Sequence, residues 1–214
     1  MFKDRRQAGK LLAKKLKKFK NEKDVVVIGV TRGGVVAAKE ISNFLNLPLD
    51  IIVIKKIGAA QNPELAIGAI GPNSVVFWDD NLIRRLDIDK EYKERSRETK
   101  DLERAELEKL LRRGKKSLNV KNKKVILVDD GVATGATVLC AVKFFRKEKS
   151  KEVILAIPVI AKDTFLSIKK YFDAVIALRI DADLHAIGQF YKEFPQVENE
   201  EVIKILDKVT HSVI

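Results

Sequence analysis

Val125-Ile126-Leu127-Val128-Asp129-Asp130-Gly131-Val132-Ala133-Thr134-Gly135-Ala136-Thr137 (VILVDDGVATGAT) is the stretch on which the reading of this chain turns. Apolar residues run into two adjacent acids, and a turn containing Gly and Thr follows. An unbroken apolar run of this kind suits a strand buried on both faces, as in a parallel sheet. The strand is predicted over Lys124 to Val128, the turn over Gly131 to Thr134 and a helix over Gly135 to Lys147. In an open parallel sheet, ligands sit at the carboxyl ends of strands, beside helix amino ends. A helix start offers unpaired N–H groups and the positive end of a dipole, so it attracts phosphate. Gly131 and Gly135 allow the backbone to come close, and Thr134 and Thr137 add hydroxyl donors. The two carboxylates would repel that same phosphate. They suit sugar hydroxyls or a hydrated magnesium ion. Two acids followed by a phosphate cradle therefore describe a phosphorylated sugar. The turn is not a Walker A loop, because no Lys follows its last Gly, and the dinucleotide fingerprint lacks paired acids.

The same rhythm extends in both directions. Asp24 to Val30 (DVVVIGV) reads as a second buried strand, followed by Thr31-Arg32-Gly33-Gly34 and a helix through about Leu45. Leu49 to Ile54 is the next strand, so strand, helix and strand imply a parallel pair. Glu152 to Ile160 and Ala174 to Leu178 are further strands, separated by a helix over Asp163 to Tyr171. Gly58 to Asn73, rich in Gly, Pro, Asn and Ala, is expected to be a long loop or irregular ribbon, and Ser74 to Trp78 a short strand. Ile88 to Leu118 is dense in Glu, Lys and Arg and reads as a long solvated helix with a sparse apolar stripe of Leu102, Ala105, Leu110 and Leu111. Ahead of the first strand, Ala8, Leu11, Leu12, Leu16 and Phe19 recur at helical spacing, which predicts a basic amphipathic helix docked on the domain. A polar connection over Arg179 to Val197 leads to a last helix over about Asn199 to Val209.

Bulk properties fit one such domain. The chain has 214 residues, 46% hydrophobic and 34% charged, which is globular composition. That length fills one α/β domain and is short for two. No apolar run approaches the length of a membrane span, and Met1 to Lys20 lacks the apolar centre of a signal peptide. A single cysteine, Cys140, suits a reducing cytoplasm and is expected as a buried thiol. The net charge of +12, from 42 Lys+Arg against 30 Asp+Glu, favours anionic partners. It is spread along the chain with no aromatic interleaving, so nucleic acid is not favoured over a phosphorylated metabolite.

The segment Val125 to Thr137 resembles, without a gap, the signature with which type I phosphoribosyltransferases bind phosphoribosyl pyrophosphate (PRPP). The resemblance covers about Asp24 to Val202 and is nearest to small phosphoribosyltransferase-like proteins of unassigned substrate. It implies a doubly wound, mostly parallel α/β sheet in a single domain over 1–214. The core would lie at about 24–180, with a long charged helical insertion at about 88–118 and a small C-terminal hood at about 180–198. Asp129 and Asp130 would hold the ribose hydroxyls, and Gly131, Ala133, Thr134, Gly135, Ala136 and Thr137 would wrap the 5′-phosphate. Thr31, Arg32, Gly33 and Gly34 resemble the pyrophosphate loop, in which many members carry a cis peptide. Lys55 and Lys56 stand where the family places a basic pair. Relatives carry Arg then Lys there, so Lys55 is a departure, a point charge in place of a planar fork. The region around Pro63 to Gly68 corresponds to a mobile catalytic lid. Ala186 to Tyr191 and Phe194 to Val197 resemble the hood. There Phe190 and Tyr191 are candidates either to stack on an acceptor base or to anchor the C-terminal helix.

The implied reaction displaces pyrophosphate from PRPP with a base nitrogen, with Arg32 and Lys56 as catalytic cations and magnesium as cofactor. The metal would be carried by PRPP and water, with Asp129 and Asp130 as its nearest protein oxygens. Ala133 stands where 6-oxopurine enzymes carry Asp, which argues against that acceptor class. Membership also makes a homodimer an expectation. His185 and His211, the only histidines, have no role in this scheme. A PRPP-sensing, nucleic-acid-binding regulator on the same fold is the alternative, together with a non-catalytic member. A hydrolase would need a nucleophile elbow, and no G-x-S-x-G is present.

Overall fold

Helix α1 (Arg5–Lys15) starts at Asp4, whose carboxylate accepts the N–H of Gln7 at 2.7 Å in a standard amino-terminal cap. The computed structural model describes residues 1–208. Val209, at the end of the last expected helix, and His211 lie outside the described residues. Leu12 and Leu16 are fully buried, so the amphipathic face docks on the domain as its spacing predicts, each side chain contributing about 1.5–3 kcal/mol. Strand β1 (Val25–Val30), helix α2 (Gly33–Leu45) and strand β2 (Leu49–Ile52) follow. Further on, β6 (Lys124–Val128), α5 (Ala136–Lys147), β7 (Glu152–Ala161), α6 (Lys162–Ile168) and β8 (Ala174–Asp181) complete the main sheet, and α7 (Asn199–Lys208) returns over it. Between the two sets lie β3 (Lys55–Ala59), β4 (Asn62–Ile70), β5 (Val76–Trp78), α3 (Asp80–Arg85) and α4 (Lys90–Arg112).

The main sheet has five parallel strands in the order β2-β1-β6-β7-β8. Alternate residues of its strands face opposite cores. Val25, Val27, Ile126 and Ile154 pack with α1, α2 and α7, whereas Val26, Ile28, Leu127 and Leu155 pack with α5. Apolar residues at every position of β1 follow from this two-sided burial. The doubly wound, mostly parallel α/β fold class expected from sequence is the fold observed. Cys140 is buried, its Sγ donates to the Val75 carbonyl at 3.2 Å, and burial pushes its thiol up to about 12. That is an inert thiol.

Several expectations are corrected. Of the two forms expected for residues 58–73, the long loop is not found: β3, β4 and β5 make a small antiparallel sheet whose first pair is irregular, with register shifts at Gly58. Its small residues are packing devices, since a Cβ on Gly68 would lie 2.7 Å from the Trp78 ring. The long helix ends at Arg112, because Arg113 and Gly114 both adopt positive φ and stop it. Its buried side is also not the expected stripe. Of that stripe Leu111 is buried as expected, but Leu102, Ala105 and Leu110 are exposed, and Arg104, Leu107, Glu108 and Arg112 turn inward beside Leu111. Arg104 and Arg112 both donate to Glu108, and Arg112 Nη1 reaches Asp50 of β2 at 2.8 Å. A polar network replaces apolar contact there. Finally, β8 runs on to Asp181, and residues 187–190 form a short 3-10 turn within the hood.

Candidate functional site

Strand order reverses between β1 and β6, whose helices leave on opposite faces of the sheet. In an open α/β sheet that switch point opens a crevice outside the carboxyl ends of the strands. The loops that flank it are Thr31–Gly34 after β1 and Asp129–Gly135 after β6, the two segments that sequence reading singled out. They line one cleft of about 730 Å³. Thr31, Arg32, Gly33, Lys55, Lys56, Asp129, Asp130, Gly131, Ala133, Thr134, Gly135 and Thr137 all border it.

Each loop is shaped by its neighbours. Thr31 N–H donates to the Ile52 carbonyl at 3.1 Å, and the Thr31–Arg32 peptide is cis. A Cβ on Gly33 would overlap Asp130 Oδ2 and come within 2.9 Å of Arg5 Nε. A Cβ on Gly34 would lie 2.6 Å from the Val128 carbonyl oxygen. Glycine is thus required where the two loops touch. Helices α2 and α5 begin at Arg32 and Gly135, and neither has a side-chain cap. Gly135 adopts φ 85°, which turns the chain into α5. Two uncapped amino ends beside one cleft form an anion cradle. Thr164 Oγ1 donates to the Ala133 carbonyl and holds the second loop from α6.

Acids and cations face each other across this cleft. Asp129 Oδ1 accepts the N–H of Asp130 at 2.9 Å. Burial and then the neighbouring Asp130 push the Asp129 carboxyl well above the usual carboxylate range, while Lys56 opposes the shift. Asp130 is tied twice, with its Oδ2 2.7 Å from Arg5 Nε and its carbonyl accepting the Tyr191 hydroxyl at 2.7 Å. Burial raises the Tyr191 phenol, so it stays a donor. Lys55 lies 3.6 Å from Glu103 of α4, and Arg32 lies 3.8 Å from Glu198. Lys56 is exposed at the rim.

Four expected residues do not border the cleft. Gly34 and Ala136 sit beneath it in the first turns of α2 and α5. Phe190 and Tyr191 are each 5% exposed, in a cluster with Phe2 and Phe194. Tyr191 stacks on Phe194 with ring centroids 4.8 Å apart, and both Phe190 and Tyr191 pack against Phe2, Ala8 and Val159 rather than against the last helix. Ile187 is the hood residue that reaches the cleft. Sequence reading also missed Glu64 on β4 and Arg5 on α1. Glu64 lay in a segment read as irregular. Arg5 lies far from the motif in sequence, where no local pattern points to a partner.

Two adjacent carboxylates are hard oxygen donors. They fit a magnesium ion that keeps water or substrate oxygens in most of its positions. Among the described residues, no three His, Cys, Asp or Glu side chains gather into a protein cage. No helix among them is long and apolar enough to cross a membrane.

The family profile described as phosphoribosyl transferase domain matches residues 3–189. The crystal structure of TT1426 from Thermus thermophilus superposes with a TM-score of 0.82 at 35% identity, covering 97% of this chain and 98% of that one. AQ2163 from Aquifex aeolicus, at 12% identity and a TM-score of 0.51, shares the fold over 83% of this chain and 74% of its own. MT0597 of Mycobacterium tuberculosis, provisionally named a phosphoribosyl transferase, is 35% identical over 208 residues, or 97% of this chain. The chain spans about half the length of the curated relatives it matches, 47% in that case. The profile match over most of the chain, and 35% identity to TT1426 across nearly the whole of both chains, show that the chain belongs to the phosphoribosyl transferase domain family.

Proposed function

We propose that this protein transfers the 5-phosphoribosyl group of PRPP to an acceptor, a nitrogenous base, and releases pyrophosphate. The observation that carries this reading is the meeting of two anion-binding loops and an acid pair in one cleft. The spacing suits a ligand with phosphate at both ends and a sugar between. The 5′-phosphate lies on the backbone of Ala133 to Thr137 at the start of α5. The ribose hydroxyls donate to Asp129 and Asp130. The pyrophosphate lies on Thr31 to Gly34, with Arg32, Lys55 and Lys56 around it.

The chemistry then needs no protein nucleophile. The C1–oxygen bond to pyrophosphate breaks as the acceptor nitrogen bonds to C1, through a transition state of oxocarbenium character, and the acceptor's N–H proton passes to water or to the departing pyrophosphate. Arg32 and Lys56 supply positive charge where the leaving group gathers negative charge, and both loops fix C1 against the acceptor. Magnesium, when bound through PRPP, water and the acid pair, adds charge neutralisation on the pyrophosphate. Ala133 offers no side-chain acid toward the base, which favours an acceptor other than a 6-oxopurine. Ile187 and Val132 give the cleft an aliphatic border beside the sugar site.

The alternative of a nucleic-acid-binding PRPP sensor gains no support from α4. Its Arg95, Arg97, Lys100 and Arg104 lie 3.8, 3.0, 2.7 and 2.6 Å from Glu91, Glu94, Glu103 and Glu108 respectively, so its field is mixed. The test is a panel of purine and pyrimidine bases incubated with PRPP and magnesium, read as released pyrophosphate and as a new nucleotide. Stoichiometric formation of both with one base establishes the transfer. Tight PRPP binding with no turnover on any base supports the sensor instead.

A further inference from the structure

Arg5 belongs to none of the motifs, yet it is a deeply buried charge, with a side chain 9% exposed. A guanidinium drawn in that far needs partners for its donors. Nε donates to Asp130 Oδ2 at 2.7 Å, and Nη1 donates to the Pro195 carbonyl at 2.8 Å. The flat face lies over the Phe194 ring, 3.6 Å from its centroid. Phe194 in turn stacks on Tyr191, whose hydroxyl holds the Asp130 carbonyl. Phe2 N–H donates to the Phe190 carbonyl and Lys192 N–H to the Phe2 carbonyl. The amino-terminal segment and the hood are therefore zipped together. Side chain and main chain of Asp130 are both gripped from that zipped unit.

We propose that Arg5 is a positioning residue for the ribose-binding carboxylate Asp130, and that through it the first helix and the hood form part of the PRPP site. The inference rests on the PRPP reading of the cleft. One carboxylate oxygen of Asp130 is committed to Arg5, which fixes the carboxylate plane and leaves Oδ1 to meet a ribose hydroxyl. The guanidinium also places a counter-charge beside two adjacent acids that would otherwise repel each other. Gly33 of the pyrophosphate loop packs against the same ion pair, close enough that a Cβ would lie 2.9 Å from Arg5 Nε. Both ends of the ligand site thus rest on one buried contact. An ion pair of purely architectural use would not need an acid that borders the cleft. Exposed pairs contribute little, whereas a bond to a buried charged group is worth about a ten- to hundredfold change in an equilibrium constant.

The test is a double-variant cycle read by calorimetric PRPP binding with magnesium, at a temperature where circular dichroism shows each variant folded. It compares the wild type with Arg5→Met, Arg5→Lys, Asp130→Asn and Arg5→Met/Asp130→Asn. The expected result is a loss of about ten- to hundredfold in PRPP affinity for Arg5→Met, with partial rescue in Arg5→Lys. In the Asp130→Asn background, Arg5→Met then changes affinity little, because the group it positions is gone. A merely structural arginine would instead cost the same in both backgrounds, and that result overturns the proposal, as does wild-type affinity in Arg5→Met. Tyr191→Phe keeps the ring packing and removes only the hydroxyl bond. It is expected to lower affinity less than Arg5→Met, and it carries the test together with Arg5→Lys if Arg5→Met does not fold. A folded wild type that fails to bind PRPP removes the proposed function itself, and the role of Arg5 with it. Variants that bind like a PRPP-binding wild type remove only the role of Arg5.

Discussion

Asp50 on β2 and the Asp129–Asp130 pair after β6 are carboxylates drawn into the same parallel sheet, and their surroundings differ in kind. Asp50 is 2% exposed and surrounded by donors: Arg112 Nη1 at 2.8 Å, Ile51 N–H at 2.7 Å and Leu118 N–H at 2.8 Å. Arg112 is shared onward with Glu108 and the Ile51 carbonyl, and Glu108 passes the network to Arg104 and Asp101 of α4. The pair after β6 is arranged otherwise. One acid is crowded by the next, Asp129 is pushed toward its protonated form by burial and by that neighbour, and the pair borders an open cleft. A buried acid with both oxygens hydrogen-bonded to the protein holds a fold together. An acid pair left incompletely answered at a strand's carboxyl end is waiting for a ligand.

The widest separation between the two should come from Asp50→Ala. Removing Asp50 leaves Arg112 with Glu108 as its one carboxylate partner and strips the Ile51 and Leu118 N–H groups of their acceptor, and unfolding by denaturant should show a loss of about 3–5 kcal/mol. PRPP affinity of the folded fraction should not change. The reverse pattern is expected from Lys56→Ala at the cleft rim. Stability should hold, while the rate of pyrophosphate release falls about a hundredfold, the size of losing one preorganised charge on a leaving group. Gly33→Ala forces a methyl group into the Asp130–Arg5 contact. Overpacking of that order costs about 1–3 kcal/mol, and calorimetry should record it chiefly as weaker PRPP binding.

The smallest effect has the most informative sign. Because burial and the neighbouring Asp130 raise the folded-state carboxyl of Asp129, ionising it costs more in the folded protein than in the unfolded chain. Its contribution to stability is full below the ordinary value of 3.8 and is lost as pH rises through the raised folded value. Asp129→Asn removes that loss. At neutral pH the variant should melt about 2–4 °C higher than the wild type, and the gain should vanish near pH 3. A variant that gains stability while losing its ligand would mark Asp129 as a functional acid. Asp50→Asn should lower the melting temperature instead.

Legibility in the sequence followed the same division. Residues 125–137 and 24–34 announced themselves because strand, turn and helix start are each written locally, in apolar runs and glycines that the fold then uses. The sheet and the cleft positions of Thr31 to Gly33 and Asp129 to Thr137 were readable for that reason. Residues 58–73 misled because Gly58, Gly68 and the alanines lower strand propensity, while their service is close approach to Pro63 and Trp78. Only the neighbours, distant in sequence for Trp78, explain it. The inward face of α4 misled because charged residues form it, and hydrophobic spacing carries no signal for a polar network. Phe190 and Tyr191 left two readings open, and neither foresaw their packing against Phe2 and Ala8 of the amino-terminal segment. Arg5 was invisible, since its partner follows only once the amino-terminal segment is known to pair with the hood.

The central claim is that the acid pair and its phosphate loop hold PRPP, and calorimetry of PRPP binding with magnesium tests it most directly. The comparison is between the wild type and an Asp129→Asn/Asp130→Asn double variant, both checked for cooperative melting. Saturable binding by the wild type that the folded double variant loses is the expected result. A folded wild type that binds no PRPP at millimolar concentration, or a double variant that binds as tightly as the wild type, would contradict it.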